Sequence, residues 1–200
     1  MTHSILIIAC GALARELVEV VRCNNWSHVK IQCLPADLHN TPIRIPRAVE
    51  EVIETYREQY PKIFVAYGDC GTGGQLDSVL EKYGIERLPG SHCYEFLAGT
   101  EVFNELAGEE LGSFYLTDFV VRHFDRLVKY GLGIEAHPEL LPLYFQHYKR
   151  VVYLAQDPTP ELRHMARTQA EYLGLDFVER DTGMAPLDKA VSEQVVQWRS

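Results

Sequence analysis

The stretches that decide the fold are ILIIACG at residues 5–11 and IFVAYGDCGTGG at residues 63–74. Each is a short hydrophobic run that leads into a Cys-Gly pair and then into helical spacing of apolar residues. This pattern predicts a strand, a tight turn and a helix. Cys10 and Cys70 would then lie where a parallel strand ends and a helix begins. Open parallel sheets bind their ligands at that edge, and a helix N-terminus favours thiolate over thiol.

The alternation of strands and helices continues along the whole chain. Strands are predicted at residues 5–9, 29–34, 63–67, 85–88, 113–117, 151–155 and 175–179. Helices are predicted at residues 12–22, 46–60, 75–82, 95–106, 118–130, 138–148 and 160–173. We therefore predict an α/β fold, a doubly wound three-layer sandwich with a mostly parallel sheet, as a single domain over residues 1–200. The two Cys-Gly turns are compatible with an internal β-α repeat, although the residues between them match poorly.

Composition argues against several classes of protein. The 200 residues carry a net charge of -9, which disfavours nucleic-acid surfaces and anionic membranes as partners. No apolar stretch approaches the roughly 20 residues that span a bilayer, and no basic segment precedes the first apolar run, so we expect no signal peptide. The chain has five cysteines, an odd number. We expect a cytoplasmic protein whose cysteines are thiols or metal ligands rather than disulfides.

A third cysteine, Cys93, also follows a predicted strand and makes a metal site the leading hypothesis. With Cys10 and Cys70 it can hold zinc with one position open, or an iron–sulfur cluster with one iron free for substrate. The close spacing typical of structural zinc sites is absent, so these ligands would come from separate turns. The alternative is that the thiols are small, buried and inert, which is how we interpret Cys23 and Cys33.

Other strand ends carry candidates for proton transfer. His39, Asp69 and Glu95 are the catalytic candidates, and His39 or Glu95 would serve as a fourth ligand or a general acid or base. The alternative for His39 is a polar residue hydrogen-bonded beneath the loops. For Glu95 it is a first-turn carboxylate that the helix dipole favours.

The glycine-rich turn after the strand at residues 63–67 is a candidate ligand loop. Its backbone can approach a ligand closely and point N–H groups at an anionic part of a small-molecule substrate. It lacks the lysine of a phosphate-binding loop and the spacing of the dinucleotide fingerprint, and a plain tight turn is the alternative. Asp118 is a further ligand-binding candidate, although Thr117-Asp118 also fits a helix N-cap. The candidates within the loop are Gly71, Thr72, Gly73 and Gly74.

Together these motifs resemble an uncharacterised family, number 1638 among the domains of unknown function. The resemblance covers nearly the whole chain and is carried by ILIIACGAL at 5–13, LPADLHN at 34–40, YGDCGTGG at 67–74, HCYE at 92–95, LTDF at 116–119 and YLAQ at 153–156. Genes of this family often lie beside trimethylamine-type methyltransferases and their corrinoid proteins. The resemblance therefore implies a link to corrinoid-dependent methyl transfer and one-carbon metabolism, but it assigns no catalytic residue.

Three functions stay open on the sequence alone. The first is a metalloprotein whose zinc or iron–sulfur centre serves methyl transfer, either by activating a thiol acceptor or by reactivating oxidised corrinoid. The second is a non-catalytic partner that docks a corrinoid protein or loads its cofactor. The third is a metal-free thiol enzyme with Cys70 as nucleophile. The many aromatic residues from Phe114 onward make a homodimer a further expectation.

Overall fold

The chain folds into two compact units, each with its own sheet. The computed structural model describes residues 4–197; within them, unit 1 contains the chain up to Phe96 together with the segment from Ala185, and unit 2 is Leu97–Met184. Each unit has a three-stranded sheet in which the strand pairs described are parallel. The predicted α/β sandwich with parallel strands is confirmed. The expectation of one domain stays a prediction, because two compact units can fold as one domain.

The strands are β1 (Ile5–Cys10), β2 (Val29–Leu34), β3 (Lys62–Ala66), β4 (Ser113–Thr117), β5 (Arg150–Ala155) and β6 (Asp176–Asp181). The helices are α1 (Ala14–Cys23), α2 (Ile45–Tyr56), α3 (Gln75–Tyr83), α4 (Cys93–Ala98), α5 (Thr100–Glu109), α6 (Asp118–Arg122), α7 (Leu140–Phe145), α8 (Pro160–Leu173) and α9 (Ala185–Gln197). Short 3-10 turns occupy Gly11–Leu13, Ala36–Asn40 and Pro42–Arg44, and a π-helical turn spans Asp125–Tyr130.

The sheet of unit 1 has the order β2-β1-β3. The central strand β1 is buried along its whole length, which explains why its sequence is a continuous hydrophobic run rather than an alternating one. Its register pairs Cys10 with Leu34 of β2 and Ala9 with Ala66 of β3, so the three strands end at one edge. This strand order has its switch point between β1 and β3, where open parallel sheets bind ligands.

The sheet of unit 2 has the order β4-β5-β6, with β5 in the centre. Helix α8 begins at an N-cap, Thr159, whose hydroxyl accepts the N–H of Leu162 at 3.3 Å, followed by Pro160 in the first turn. The buried core of unit 2 is formed by Leu116, Val121, Phe124, Val128, Ile134, Phe145, Val151, Tyr153, Ala155, Leu162, Ala166, Ala170 and Leu173.

Several elements differ from the prediction. The helix expected at residues 95–106 is two helices, α4 and α5, because the chain between them turns at Gly99 with φ of 82°. The strand expected at residues 85–88 forms only an isolated parallel bridge between Arg87 and Val65. Helix α9 does not correspond to any helix predicted from the sequence. The predicted helix at 118–130 is α6 followed by the π-helical turn.

In the part of the chain that the structure describes, none of the helices has both the length and the apolar character needed to cross a membrane.

Candidate metal centre

Cys10 and His39 meet at the edge of the unit 1 sheet. Cys10 is the last residue of β1, and its sulfur accepts the N–H of Ala12 at 3.3 Å. His39 lies in the 3-10 turn after β2, the neighbour of β1. The Cys10 Sγ is 3.6 Å from His39 Nδ1, so the two side chains form a hydrogen-bonded pair.

Cys70 and Cys93 are brought together by two loops that lie backbone to backbone. Gly68 permits this approach, because a Cβ there would lie 3.0 Å from the backbone of His92. The N–H groups of Asp69 and Cys70 then donate to the carbonyls of Gly90, at 3.1 Å, and Ser91, at 2.8 Å. As a result, the Cys70 and Cys93 sulfurs are 3.2 Å apart.

His39, Cys70 and Cys93 form a group that can hold a metal ion. One ligand atom from each lies within 4.8 Å of the other two. Cys70 and Cys93 are buried and His39 is partly buried. His39 Nε2 faces Cys93 Sγ at 4.0 Å, while Nδ1 faces Cys10. The imidazole therefore lies between Cys10 and the other two thiols, and Cys10 falls outside this group.

The charges of the group are set by its internal hydrogen bonds. The hydrogen bond from Cys93 lowers the pKa of Cys70 to about 4, with a smaller contribution from His39 and against the effect of burial. The same bond raises the pKa of the Cys93 thiol. Burial opposes the charged form of His39, but hydrogen bonds with Cys10 and Cys70 outweigh burial and raise its pKa to about 10. Without a metal, the pair is a Cys70 thiolate beside a His39 imidazolium at neutral pH.

Cys70 also has an unusual backbone. Its φ of 49° lies in the left-handed region, which residues with a Cβ rarely adopt. Such strain persists where the surrounding structure enforces it, and it is concentrated at functional sites. Here the bond from the Cys70 N–H to the Ser91 carbonyl holds the residue in place.

Tyr67, which follows β3, lies beside the site, although the sequence predicts it only as the end of a strand. Its side chain is fully buried, and its ring stacks on His39 with centroids 6.1 Å apart and planes 11° apart. Burial first, and then the nearby thiols, raise its pKa, so the hydroxyl stays protonated. Among the described residues, that hydroxyl has no hydrogen-bond partner. In the sequence, the feature that could have identified Tyr67 is its position: a tyrosine, with a polar hydroxyl, ends the predicted strand just before the Cys70-Gly71 turn.

The glycine-rich loop surrounds the carboxylate of its own Asp69. The carboxylate accepts the Thr72 hydroxyl at 2.8 Å and the N–H groups of Gly73, at 3.1 Å, and Gly74, at 2.8 Å. The Gly74 bond, with help from Thr72 and Gly73, lowers the pKa of Asp69 to about 2. Asp69 thus holds the loop that carries Cys70, and the N–H groups of Gly73 and Gly74 already have an anion. Gly71, with φ of 82°, directly follows Cys70.

Glu95 and Asp118 both accept hydrogen bonds from other groups of the chain. Glu95, in the first turn of α4, accepts the N–H of Ser91 at 3.2 Å and so holds the loop before Cys93. Asp118 is buried in unit 2, where it accepts the Tyr153 hydroxyl at 2.7 Å and the backbone N–H groups of Gln156, at 3.2 Å, and Asp157, at 2.9 Å. These bonds tie the end of β4 to the end of β5.

Three further expectations concern Thr117 and the two remaining cysteines. Thr117 is the N-cap of α6, and its hydroxyl accepts the N–H of Val120 at 3.3 Å, as its position predicts. Cys23, expected in the core, is exposed, because it lies on the outer side of α1. Cys33 is partly buried in β2.

The fold and the site together define an α/β protein with a His/Cys/Cys group at the carboxyl edge of a parallel sheet. The chain belongs to the family described as "Protein of unknown function (DUF1638)", which matches residues 33–191. The matched span contains His39, Cys70 and Cys93, whereas Cys10 precedes it. No curated protein and no solved structure matches the chain.

Proposed function

We propose that this protein is a cytoplasmic metalloprotein that binds one zinc ion through His39, Cys70 and Cys93. The observation that carries the proposal is the convergence of three ligand atoms within 4.8 Å of one another. Zinc takes nitrogen and sulfur ligands, and three protein ligands with a fourth position open are typical of catalytic zinc sites. The open position would take the small-molecule substrate.

The spacing of the thiols favours a single ion over an iron–sulfur cluster. Two thiolates at about 2.3 Å from a tetrahedral zinc stand ~3.8 Å apart, close to the 3.2 Å between Cys70 and Cys93. In a cluster held by three cysteines, each sulfur binds its own iron, which requires a wider spacing. The His39 ring also lies between Cys10 and the other thiols, where a cluster would need space.

Cys10 would orient His39 rather than bind the metal. If Nε2 binds the ion, the ring proton is on Nδ1, and Cys10 Sγ is 3.6 Å from that nitrogen. A ligating histidine usually gives its other N–H to such a partner, which fixes the ring and makes it a stronger ligand. This arrangement modifies the sequence-based hypothesis, in which Cys10 itself binds the metal.

The protonation states of the three ligand side chains determine how zinc affinity would depend on pH. Bound there, zinc would keep a coordinated thiol or water deprotonated near neutral pH. Cys70 is already a thiolate, with a pKa of about 4, whereas Cys93 and His39 must each release a proton. Zinc affinity is therefore expected to fall as the pH is lowered.

We further propose that the centre serves corrinoid-dependent methyl transfer, with a thiol acceptor or a corrinoid protein at the open position. The support is the resemblance to a family whose genes lie beside such methyltransferases. A role as a non-catalytic partner that docks or loads a corrinoid protein has the same support. Turnover of a methylated corrinoid with a thiol distinguishes the two, because a partner would bind the corrinoid protein without turnover.

Metal analysis of protein purified without oxygen tests the zinc site. We expect about one zinc per chain and no visible colour. Iron with acid-labile sulfide and a brown colour would show that the site holds an iron–sulfur cluster and not zinc. Protein that contains no metal and takes up none on incubation with zinc would contradict a metal centre altogether.

Alanine variants test which residues bind the ion. Cys70→Ala and Cys93→Ala should remove zinc, whereas Cys10→Ala should retain the site with about 10- to 100-fold weaker affinity, the usual effect of losing a partner of a ligand. Cys23→Ala is the matched control, because Cys23 is an exposed thiol on α1. Full zinc content in Cys70→Ala would show that the assignment is wrong.

A metal-free thiol enzyme is the second candidate, and the left-handed backbone of Cys70 beside His39 favours it. In that case Cys70 is the nucleophile and His39 its charged partner. Iodoacetamide should then alkylate Cys70 in metal-free protein well below the pH at which ordinary thiols react. Stoichiometric zinc that blocks this alkylation would favour the metal centre.

A further inference from the structure

The hydroxyl of Tyr67 is one of the buried polar groups of unit 1 that have no hydrogen-bond partner among the described residues, and it lies beside the candidate metal centre. The side chain is fully buried, and the hydroxyl has no hydrogen-bond partner among the described residues. Burying a hydroxyl without a partner is unfavourable, and nearly all such groups in folded proteins are paired. The missing partner is therefore expected to come from outside the chain.

The surroundings of Tyr67 place that partner at the candidate metal centre. Its ring lies parallel to the His39 imidazole, 6.1 Å away between centroids. The sulfurs of Cys10, Cys70 and Cys93 lie near enough to influence the hydroxyl electrostatically. Cys10 interacts with the hydroxyl and helps to raise its pKa, but no atom of the described residues has hydrogen-bond geometry with that hydroxyl.

The missing partner must be a hydrogen-bond acceptor. A phenol that stays protonated donates one hydrogen bond and attracts a lone pair. The ligands that occupy the open position of such a centre, hydroxide or a substrate thiolate, are anions with lone pairs free on the side away from the metal. A hydrogen bond to a charged acceptor is among the strongest that a side chain makes.

We propose that Tyr67 donates its hydroxyl proton in a hydrogen bond to the non-protein ligand of the centre, and so selects a small anionic acceptor for the fourth position. This inference rests on the proposed metal centre and adds the class of ligand that it takes. Tyr67 acts as a binding residue toward that ligand and not as a ligand of the metal.

Cobalt-substituted protein tests the proposal with two probes. Cobalt(II) takes the place of zinc among nitrogen and sulfur ligands, and its visible spectrum reports on added ligands. Azide has lone pairs that can accept the Tyr67 hydrogen bond, whereas 1-methylimidazole has none left once it binds the metal. In Tyr67→Phe we expect azide to bind about tenfold or more weakly, with unchanged affinity for 1-methylimidazole and unchanged cobalt content.

Tyr153→Phe is the matched control. Tyr153 is also fully buried, but its hydroxyl donates to Asp118 in unit 2. Its removal should leave the affinity for both probes unchanged. Equal loss of both probes in Tyr67→Phe would indicate a general disturbance of the site and would overturn the proposal, as would unchanged azide affinity.

The outcomes separate this inference from the proposed function. If wild-type protein binds no cobalt or zinc, both proposals are wrong. If it binds cobalt and Tyr67→Phe binds azide equally well, only the role of Tyr67 is wrong. If Tyr67→Phe fails to fold, a titration of cobalt-substituted wild-type protein with azide tests the proposal instead. A hydrogen bond from Tyr67 to azide should change the ultraviolet absorption of a tyrosine. No change would contradict the proposal.

Discussion

Tyr67 and Tyr153 are both buried, but their hydroxyl groups differ in hydrogen bonding. Both are completely buried at or beside a strand. The Tyr153 hydroxyl donates to Asp118 at 2.7 Å, whereas the Tyr67 hydroxyl has no partner in the described chain. Since a buried polar group stabilises a fold only when it is paired, the effects of removing the two hydroxyls should differ in size and even in sign.

Phenylalanine at each position tests this difference in metal-free protein. Tyr67→Phe should leave the free energy of unfolding unchanged or raise it by up to about 1 kcal/mol, because an unpaired hydroxyl is removed. Tyr153→Phe should lower it by about 1–3 kcal/mol, because Asp118 loses a donor while still buried. Urea titrations of both variants provide the measurement. A loss in Tyr67→Phe as large as that in Tyr153→Phe would mean that the Tyr67 hydroxyl has a partner within the protein.

At the residue scale, the sequence indicates some of the side chains near the site, the cysteines and His39, but it misses Tyr67 and does not show what each side chain does. The local strand–turn–helix patterns predict only that Cys10, Cys70 and Cys93 each lie near the end of a strand. The division of roles between Cys10 and His39 depends on the orientation of one imidazole ring, which only the packed structure fixes. The unpaired hydroxyl of Tyr67 likewise depends on burial by residues distant in the chain.

At the scale of elements, the position of the loop after β3 is fixed by its backbone contact with the loop before α4. Gly68 has no Cβ, and one placed there would lie 3.0 Å from the His92 backbone. Backbone cannot move aside as a flexible side chain can, so the two loops would have to separate. Cys70 lies on the first loop and Cys93 begins α4 directly after the second, so their sulfurs would move apart with the loops.

Gly68→Ala should therefore lower both stability and metal affinity. We expect a loss of about 1–3 kcal/mol, as for other overpacked sites, together with weaker zinc binding in a competition titration with a chelator. Gly108→Ala is the control, because Gly108 lies in α5 with open space around its Cβ position; there the replacement should stabilise by about 0.5–1 kcal/mol. Unchanged zinc affinity in Gly68→Ala would contradict the role of loop contact in building the site.

Elements were predictable from sequence wherever the hydrophobic pattern is local and strong. Strands β1, β2 and β4 and helix α8 appear within a residue of the expected bounds. The exceptions have identifiable causes. Gly99 divides one predicted helix, and residues 85–88 reach β3 through a single bridge only, since pairing depends on which strands lie side by side.

For the whole molecule, the strand ends belong to two sheets rather than one. The thiols and His39 belong to the sheet of unit 1, and Asp118 belongs to that of unit 2. Alternating strands and helices identify the α/β class, but they do not determine how many sheets the strands form. That division is a matter of long-range pairing, which a hydrophobic pattern does not encode.

Helix α9 belongs to unit 1 although all of unit 2 separates it in sequence from the rest of that unit. Three of its side chains, Leu187, Val191 and Val195, are at most 1% exposed. Their spacing of four residues places them on one helix face. Asp188 accepts a hydrogen bond from Asn24, next to α1, at 2.7 Å, so α9 completes the core of the unit that carries the candidate site.

A chain ending at Met184 should therefore lose the fold of unit 1 and, with it, the metal. Each buried aliphatic side chain contributes about 1.5–3 kcal/mol, so three of them approach the ~5–15 kcal/mol that stabilises a whole domain. Circular dichroism and zinc content of the truncated chain provide the measurement. Asp188→Ala, which removes only the hydrogen bonds to Asn24 and Ser192, should lose about 1 kcal/mol and keep its zinc. A truncated chain that stays folded with a full zinc content would show that the centre forms without α9.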